Sequence, residues 1–207
     1  MNKRIKSVIV AIFIAGAAFS VPTDSLFLNM PDNILPTLSK KQRFELAEYS
    51  KAAKADSVAN LFGRNTILLK YDTASCHIVV KTSATGLTEI KRFKFSNGEN
   101  IIGVINTVNA PVEYSTINFY NESWQTILFS VEMPDYSLWI DEKLLSESTI
   151  EASWVKNLLN KKYFSMHFTN SNELEIKNNV LNTLNVEDRK MVEPFFVNKN
   201  VTLNFVK

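Results

Sequence analysis

Hydrophobic residues in the middle of the chain recur in short runs that are rich in β-branched and aromatic side chains. Turn-forming residues separate the runs. Asn97-Gly98 is the clearest of these turns, because Asn and Gly best tolerate the positive φ angles of a type I′ turn. The pattern is typical of strands joined by short turns and predicts an antiparallel meander. The six predicted strands are 67–71, 76–82, 89–95, 101–108, 116–120 and 124–129.

Helical patterns precede this meander. Ser39 to Gln42 matches a capping box, in which the first side chain accepts a main-chain amide bond and the fourth side chain returns one. The residues that follow present a broad apolar face to about Lys54, which predicts the clearest helix of the chain. A short helical turn is predicted over 24–30, and another over 57–62 that ends at Gly63.

Helical and strand patterns both return toward the C-terminus. Residues 150–161 place apolar side chains on one helical face, and alternation over 163–169 and 174–176 predicts a hairpin. A short helix over 186–195 and a last strand over 201–205 complete the pattern. We therefore predict an α+β fold in which helices pack on a largely antiparallel β-sheet meander in two layers.

A single domain over residues 21–207 accommodates all of these elements, with a subdivision near 130–135 left open. The tripeptide Met-Pro-Asp occurs at Met30 and again at Met133, each time ahead of helices and then strands. A tandem duplication is therefore a second hypothesis for the organisation of the chain, although three residues are a short basis for a repeat.

The first 20 residues have the pattern of a secretory signal peptide. Basic residues at positions 3, 4 and 6 precede an apolar run over 8–19, and Ala18 and Ser20 are small residues of the kind that precede a cleavage site. The apolar run is too short to cross a bilayer as a helix, which needs about 20 residues. We expect cleavage after Ser20 and a periplasmic or secreted protein without a transmembrane segment.

Charge and cysteine content narrow the class of protein. Removal of the three signal-peptide bases from 23 basic side chains leaves 20 against 21 acidic ones, so a nucleic-acid partner is not expected. Cys76 is the single cysteine and allows no internal disulfide, and Val21 stands where a lipoprotein would carry its lipidated cysteine. Cys76 begins an apolar strand and is predicted to be buried and inert, pointing away from His77.

Several stretches of the chain resemble a known family. The first consists of residues 29–38, followed by the predicted helix over 43–49. The second consists of residues 105–111, followed by 117–120 and Trp124. In order and spacing they are similar to a family of secreted Bacteroidales proteins catalogued as a domain of unknown function, DUF3256. The resemblance covers most of the chain after the signal peptide. It implies an exported protein of a Gram-negative envelope, without an assigned activity and without established catalytic or binding residues.

Motifs of common enzymes are missing from the sequence. Two histidines and one cysteine are few for a zinc site, and the chain has no HExxH, GxSxG, P-loop or GxGxxG pattern. His167 alternates out of the apolar face of its strand, which predicts a solvated side chain. We expect no cofactor and no metal, and we assign no catalytic, cofactor-binding or metal-binding residues.

Paired carboxylates are one catalytic arrangement that the sequence leaves open. Glycoside hydrolysis needs two acidic side chains several ångströms apart, and Asp135, Asp141, Glu142 and Glu147 lie between the two groups of predicted strands. A solvated face is the simpler interpretation of these acids. The leading hypothesis is a non-catalytic binding or interaction protein whose partner is a protein or glycan of the cell envelope. The alternative is a secreted hydrolase that uses paired acidic residues.

Three short motifs suggest a modification of the exported protein. Ser25, Ser57 and Thr73 each follow an aspartate and precede an apolar residue, the pattern at which exported proteins of this bacterial group are O-glycosylated. Motifs of this length also arise by chance, and an acceptor must be exposed. Glycosylation at these residues is therefore a hypothesis that depends on export.

Overall fold

The protein is described by a computed structural model that covers residues 21–53, 56–95 and 98–204. The predicted signal peptide, and Asn97 of the predicted type I′ turn, lie outside the described residues. The helices are α1 (Thr23–Asn29), α2 (Lys40–Lys51), α3 (Glu142–Ser146), α4 (Ala152–Leu159) and α5 (Val186–Val192), with 3₁₀ turns at Tyr136–Trp139, Val180–Thr183 and Glu193–Phe195. The strands are β1 (Ser57–Ala59), β2 (Asn65–Asp72), β3 (His77–Lys81), β4 (Gly86–Lys94), β5 (Asn100–Asn109), β6 (Glu113–Tyr120), β7 (Phe164–Phe168), β8 (Glu173–Asn178) and β9 (Val201–Asn204).

Two antiparallel sheets form the framework. The large sheet has six strands in the order β1 to β6, so that neighbours in sequence are also neighbours in space. The small sheet has the order β7-β8-β9. Short connections favour this order, because antiparallel strands can be joined by tight turns. The α+β class with antiparallel sheets is confirmed, as are the predicted hairpin and five predicted strands of the meander, which are β2 to β6.

One face of the large sheet is covered by α1 and α2. Alternate residues of β3, β4 and β5 point to this face, as strand geometry requires. They pack with apolar residues of both helices. We call this the helix-side core, and its buried members include Leu26, Phe27, Leu46, Ile78, Val80, Ile90, Ile102 and Val104.

The opposite face of the large sheet is covered by the small sheet, which adds a layer to the two that the sequence predicts. The sheets approach closely at Gly103, where a Cβ atom would lie 2.6 Å from the tip of the Phe168 ring. The helices α3 to α5 form a separate apolar cluster beside the sheets. We call the residues between the sheets the inter-sheet core; they include Phe93, Ile105, Trp139, Phe164, Met166, Phe168, Leu174 and Ile176.

Arg43 of α2 fixes the loop that joins the two N-terminal helices. Its side chain is 1% exposed and donates to the main-chain oxygens of Met30 and Leu38 at 2.6 and 2.7 Å. It also donates to Asp32 Oδ1 at 2.9 Å. A guanidinium is buried at an acceptable cost only when such acceptors replace water. The loop is therefore held against α2 by one side chain.

The predicted helical turn over 57–62 is wrong, because these residues form β1 and a tight turn. Val58 is buried in the helix-side core while β1 pairs with β2. Asn60 Oδ1 accepts the amide of Arg64 at 3.1 Å, and Gly63 has a φ of +70° that glycine adopts without strain. Gly63 thus closes a hairpin and does not end a helix.

The sixth predicted strand of the meander is not formed. Asn121 closes a turn after β6 by accepting main-chain amide bonds through its side chain. Trp124 has a φ of +60°, and its buried indole enters the helix-side core, where Nε1 donates to Leu26 O at 3.1 Å. The chain then returns toward β6 and makes a single bridge between Tyr120 and Thr126. Burial of the indole therefore interrupts the extended conformation.

The capping box at the start of α2 is confirmed. Ser39 Oγ accepts the amide of Gln42 at 3.4 Å, and Gln42 Oε1 accepts the amide of Ser39 at 2.9 Å. These bonds satisfy two donors that the helix itself cannot pair. The boundary of α2 is thus set by four consecutive residues.

Replacing Ser39 by Ala should lower the free energy of unfolding by about 1 kcal/mol, because an amide in the first turn loses its acceptor. Denaturant unfolding measures the change. Ser123, an exposed serine outside helices and strands, provides the control, and Ser123→Ala should leave the midpoint unchanged. Equal midpoints for Ser39→Ala and the parent chain would show that the cap does not contribute.

Candidate functional site

Charged residues of β4 lie between the two sheets. Glu89 and Lys91 alternate with the helix-side residues of β4 and so point toward the small sheet. Their side chains are buried, with only 3% of Glu89 and 1% of Lys91 exposed. Burial of an ionised group is costly unless it is paired and hydrogen-bonded. The partners of these two residues therefore define the polar site of the protein.

The Glu89 carboxylate contacts both sheets. Its Oε1 accepts a bond from His77 Nε2 of β3 at 2.6 Å and from the Phe168 amide of β7 at 3.1 Å. Its Oε2 lies 3.5 Å from His167 Nδ1, also on β7. One carboxylate thus joins two strands of the large sheet to the edge of the small sheet.

The contact with a lysine indicates which ring nitrogen of His77 carries the proton. Lys70 Nζ lies 2.9 Å from His77 Nδ1, and an ammonium can only donate. Nδ1 is therefore the acceptor, and the proton of the neutral ring is on Nε2, where it is donated to Glu89. Lys70 also donates to Asn170 Oδ1 at 3.1 Å, so the same chain of bonds reaches the turn between β7 and β8.

Lys91 binds main-chain oxygens of the turn between β7 and β8. Its ammonium donates to the carbonyl oxygens of Thr169 and Asn170, the latter at 3.3 Å, and lies 5.4 Å from the centre of the Phe93 ring. Burial, together with nearby Lys70, lowers the pKa of Lys91 below its ordinary value. We call Lys70, His77, Glu89, Lys91 and His167 the inter-sheet polar cluster.

The carboxylate and the half-exposed histidine of this cluster stabilise each other's charge. Burial raises the pKa of Glu89, but the contacts from His167 and His77 outweigh burial and leave the pKa below its ordinary value. The contact with Glu89 raises the pKa of His167 against the effect of burial, and Glu113 and Glu175 add to this rise. The two groups therefore favour an ion pair across the sheets.

His167 is the member of the cluster that reaches open space. Its side chain is 48% exposed, so it is solvated in part, as predicted, and it lines a cavity of about 270 Å³ together with Lys81, Thr107 and Glu113. The neighbouring hydroxyl of Ser115 is not free, because it bonds Thr107 and accepts the Met166 amide at 3.1 Å. The other cluster members bond one another or main-chain groups, an arrangement suited to joining the sheets.

The four acids named in the hydrolase hypothesis lie at the ends of short helices or in an ion pair. Asp135 Oδ1 accepts the Ser137 amide at 2.9 Å, and Asp141 Oδ1 accepts the Leu144 amide at 3.0 Å. Both are therefore caps of short helices. The other two acids are Glu142, which pairs with Lys156 at 2.8 Å, and Glu147, at the end of α3.

Cys76 is buried as predicted, with 1% of the residue exposed. Its side chain belongs to the helix-side core, whereas neighbouring His77 takes part in the inter-sheet polar cluster. The pair therefore does not form a nucleophile and base. Burial raises the pKa of the Cys76 thiol and reduces its thiolate fraction.

The glycosylation motifs differ in exposure. Thr73 is exposed in the turn between β2 and β3, whereas Ser25 on α1 and Ser57 on β1 are half-buried. Thr73 therefore meets the requirement of access best among the three candidates.

A second feature of the surface is the irregular chain that follows Trp124. Burial alternates residue by residue, as along a strand: Ile127, Phe129, Val131 and Met133 are half-buried, while the residues between them are exposed. We call residues 126–133 the edge segment. Within the described part of the chain, no hydrogen bond pairs the backbone of Leu128, Ser130, Val131 or Glu132. The edge segment thus presents unpaired main-chain groups.

A groove of about 730 Å³ runs beside the edge segment. On one side it is lined by residues 98–101, on the other by Ile127, Leu128 and Phe129, and the turn residues Asn121 and Glu122 complete the lining. β6 pairs with β5 only from Ile102 onward, so Asn100 and Ile101 have no β6 partner. Leu128 is fully exposed. The groove therefore occupies the position that a continued β6 would fill.

Together these features define an α+β protein with two stacked antiparallel sheets, an internally bonded polar cluster and an open sheet edge. The chain belongs to the family described as protein of unknown function (DUF3256), which matches residues 17–206. The solved structure of a domain of an uncharacterized protein from Porphyromonas gingivalis W83 has a similar fold, with a TM-score of 0.71 and 21% identity. The similarity covers 88% of this chain and 92% of that domain. No curated protein matches the sequence.

No helix among the described residues is long and apolar enough to span a bilayer. Within the same residues, no group of three or more His, Cys, Asp or Glu side chains has the arrangement of a metal site.

Replacing Glu89 by Gln should reduce the free energy of unfolding by about 1.5 to 3 kcal/mol, because bonds to a buried charged acceptor are weakened. Because the pKa of Glu89 is lowered in the folded state, the carboxylate stabilises the fold at pH values above its ordinary pKa of 4.5. This stabilisation is lost as the pH falls through the lowered pKa. Because the pKa of His167 is raised in the folded state, its protonated ring stabilises the fold at pH values below its ordinary pKa of 6.5. This stabilisation is lost as the pH rises through the raised pKa. The difference in the free energy of unfolding between the parent and variant chains should therefore be largest between pH 4.5 and pH 6.5.

Denaturant unfolding over pH 3 to 9 tests this expectation, with Glu132→Gln as a control because Glu132 is exposed in the edge segment. A difference for Glu89→Gln that does not change with pH would contradict the proposed ion pair with His167.

Cys76 should resist alkylation in the folded protein and react rapidly after unfolding, since burial removes access and thiolate character. Timed labelling with an uncharged maleimide, followed by intact mass, measures the reaction. Rapid labelling without denaturant would show that the thiol is accessible in the native state.

Proposed function

We propose that the protein is exported to the periplasm or beyond and acts there as a non-catalytic binding protein. The signal-like first 20 residues support export. The bonds within the inter-sheet polar cluster support a structural role for the residues that could otherwise perform chemistry. The binding surface that we propose is the edge segment with its groove, and the partner is a polypeptide that docks in extended conformation.

The unpaired main-chain groups of Leu128, Ser130, Val131 and Glu132 in the edge segment carry this proposal. An exposed strand edge is a template for pairing with another chain, and proteins usually protect such edges with charges, proline or a covering element. Here the residue exposed beside the groove is the apolar Leu128, and the exposed charge of the segment is Glu132, four residues further along. Strand addition uses main-chain bonds for affinity and alternate side chains for specificity.

The inward side chains give the edge segment a fixed position. Phe129 packs edge-on against Phe95 and Phe119, with ring centres 5.5 and 4.7 Å apart. Val131 and Met133 pack against the inter-sheet core. A partner would therefore meet a preorganised segment, which lowers the entropic cost of binding.

The groove suggests the chemistry of the partner. Its apolar lining by Ile101, Ile127 and Leu128 suits an aliphatic or aromatic side chain at alternate positions of the bound peptide. The main-chain groups of the edge segment would bond the peptide backbone. The proposed partner is therefore an extended peptide with alternating apolar residues, supplied by another protein of the envelope.

Photo-crosslinking in living cells tests this proposal. A photoreactive residue at position 128 should capture a defined protein, whereas the same residue at exposed Val186 on α5 should not. The crosslinked stretch, made as a synthetic peptide, should bind the purified protein and slow amide exchange over residues 128–132. Leu128→Asp should weaken that binding at least tenfold, while Val186→Asp should leave it unchanged.

Two outcomes would contradict the proposal. Crosslinking at position 128 no stronger than at 186 would argue against a partner at this edge. A ligand that binds without protecting the amides of residues 128–132, including an envelope glycan, would show that strand addition is not the mode of binding.

A further inference from the structure

The residue predicted to begin the mature protein is already held by a charged pair. Val21 N lies 3.3 Å from Glu122 Oε1, and Arg92 Nη1 donates to the carbonyl oxygen of Val21. Arg92 also lies 3.4 Å from Glu122 Oε1. The side chains of Arg92 and Glu122 are largely buried, with 16% and 21% exposed. Val21 itself packs against the helix-side core.

These contacts involve three separate parts of the fold. Arg92 is on β4, Glu122 is in the turn after β6, and Val21 immediately precedes α1. Trp124, two residues after Glu122, anchors the same turn by donating to Leu26 O of α1 at 3.1 Å. The carboxylate is thus fixed in position by the fold before any change at Val21 takes place.

Cleavage between Ser20 and Val21 would change the chemistry at this position. Hydrolysis adds water across the peptide bond, so that Ser20 leaves with a carboxylate and Val21 retains an amine. Below its ordinary pKa of about 8, that α-amine is a positively charged ammonium with three donors. The neutral amide of the uncleaved chain has a single donor.

We propose that Glu122 is a binding site for the α-ammonium that signal-peptide cleavage creates at Val21. The site rests on the export proposed above. Glu122 also lines the groove beside the edge segment, but the contacts with Val21 and Arg92 are made by its Oε1 atom within the fold. Glu122 would bridge two cations, the Val21 ammonium and the Arg92 guanidinium. Removal of the signal peptide would then strengthen the folded state only after export, because the uncleaved chain lacks the ammonium.

The surrounding charges are consistent with this site. The groups that face it are Arg92 from β4, Glu122 from the turn, and Cys76 at the start of β3, whose thiol interacts with both charges. Burial keeps the thiol neutral by raising its pKa. Among the described residues, Glu122 supplies the carboxylate that bonds Val21 N. The α-ammonium therefore gains one near anion, which should raise its pKa.

The experiment compares the chain that begins at Val21 with a chain that keeps Ala18, Phe19 and Ser20. At pH 6.5 the chain that begins at Val21 should have an unfolding equilibrium constant about three- to tenfold smaller. A raised α-amine pKa contributes stability below its unfolded value, so the difference should disappear as pH rises through the folded value. Isotope-detected titration of the Val21 amine should give a pKa above that of a free terminus.

Variants separate this site from a general effect of the N-terminus. Glu122→Gln should abolish the difference between the two chains, and exposed Glu132→Gln should preserve it. Equal stability of the two chains, or an unshifted amine pKa, would overturn the ammonium site while leaving export intact. Intact mass of the exported protein tests processing separately: a terminus other than Val21 would overturn the site, and retention in the cytoplasm would overturn the export on which it rests.

Discussion

Burial of the Glu89 carboxylate between two sheets is the constraint on which the arrangement depends. An ionised group at this depth must be compensated, and its partners come from β3 and from β7, on opposite sides of the interface. The apolar contacts of the inter-sheet core hold the sheets together without specifying one register, since hydrophobic burial is non-directional. The bonds to Glu89 are directional, and they fit one alignment of β7 against β4.

The same constraint accounts for the hydrogen bonds of the inter-sheet polar cluster. His77 is fixed between Lys70 and Glu89, and Lys91 is fixed by carbonyl oxygens of the turn after β7. These residues are thus occupied by bonds within the fold, whereas His167 also reaches open space. The binding surface that we propose lies elsewhere, at the edge segment, where the main-chain groups of Leu128, Ser130, Val131 and Glu132 have no hydrogen-bond partner among the described residues.

Features that depend on neighbouring residues could be predicted from the sequence. The capping box of α2 involves four consecutive residues, and the strands of the meander follow from alternation within each run. The polar cluster could not be predicted in this way, because Glu89 and the Phe168 amide are 79 positions apart. One signal was present: Glu89 and Lys91 alternate in phase with buried Phe93, which places charged side chains on an apolar face. Trp124 shows how a long-range contact makes a local prediction fail. The bond from its indole to Leu26 overrides the strand propensity of the segment that contains it.

Native-state hydrogen exchange at the Phe168 amide tests the central claim most directly, because this buried donor bonds Glu89 across the interface. If the carboxylate locks the sheets together, the amide should exchange only through global unfolding, with the same opening free energy as amides of the interior strand β4. In that case its exchange should also respond to denaturant as steeply as theirs. A markedly lower opening free energy at Phe168, with a weak dependence on denaturant, would mean that the small sheet separates while the large sheet stays folded, and it would contradict the account.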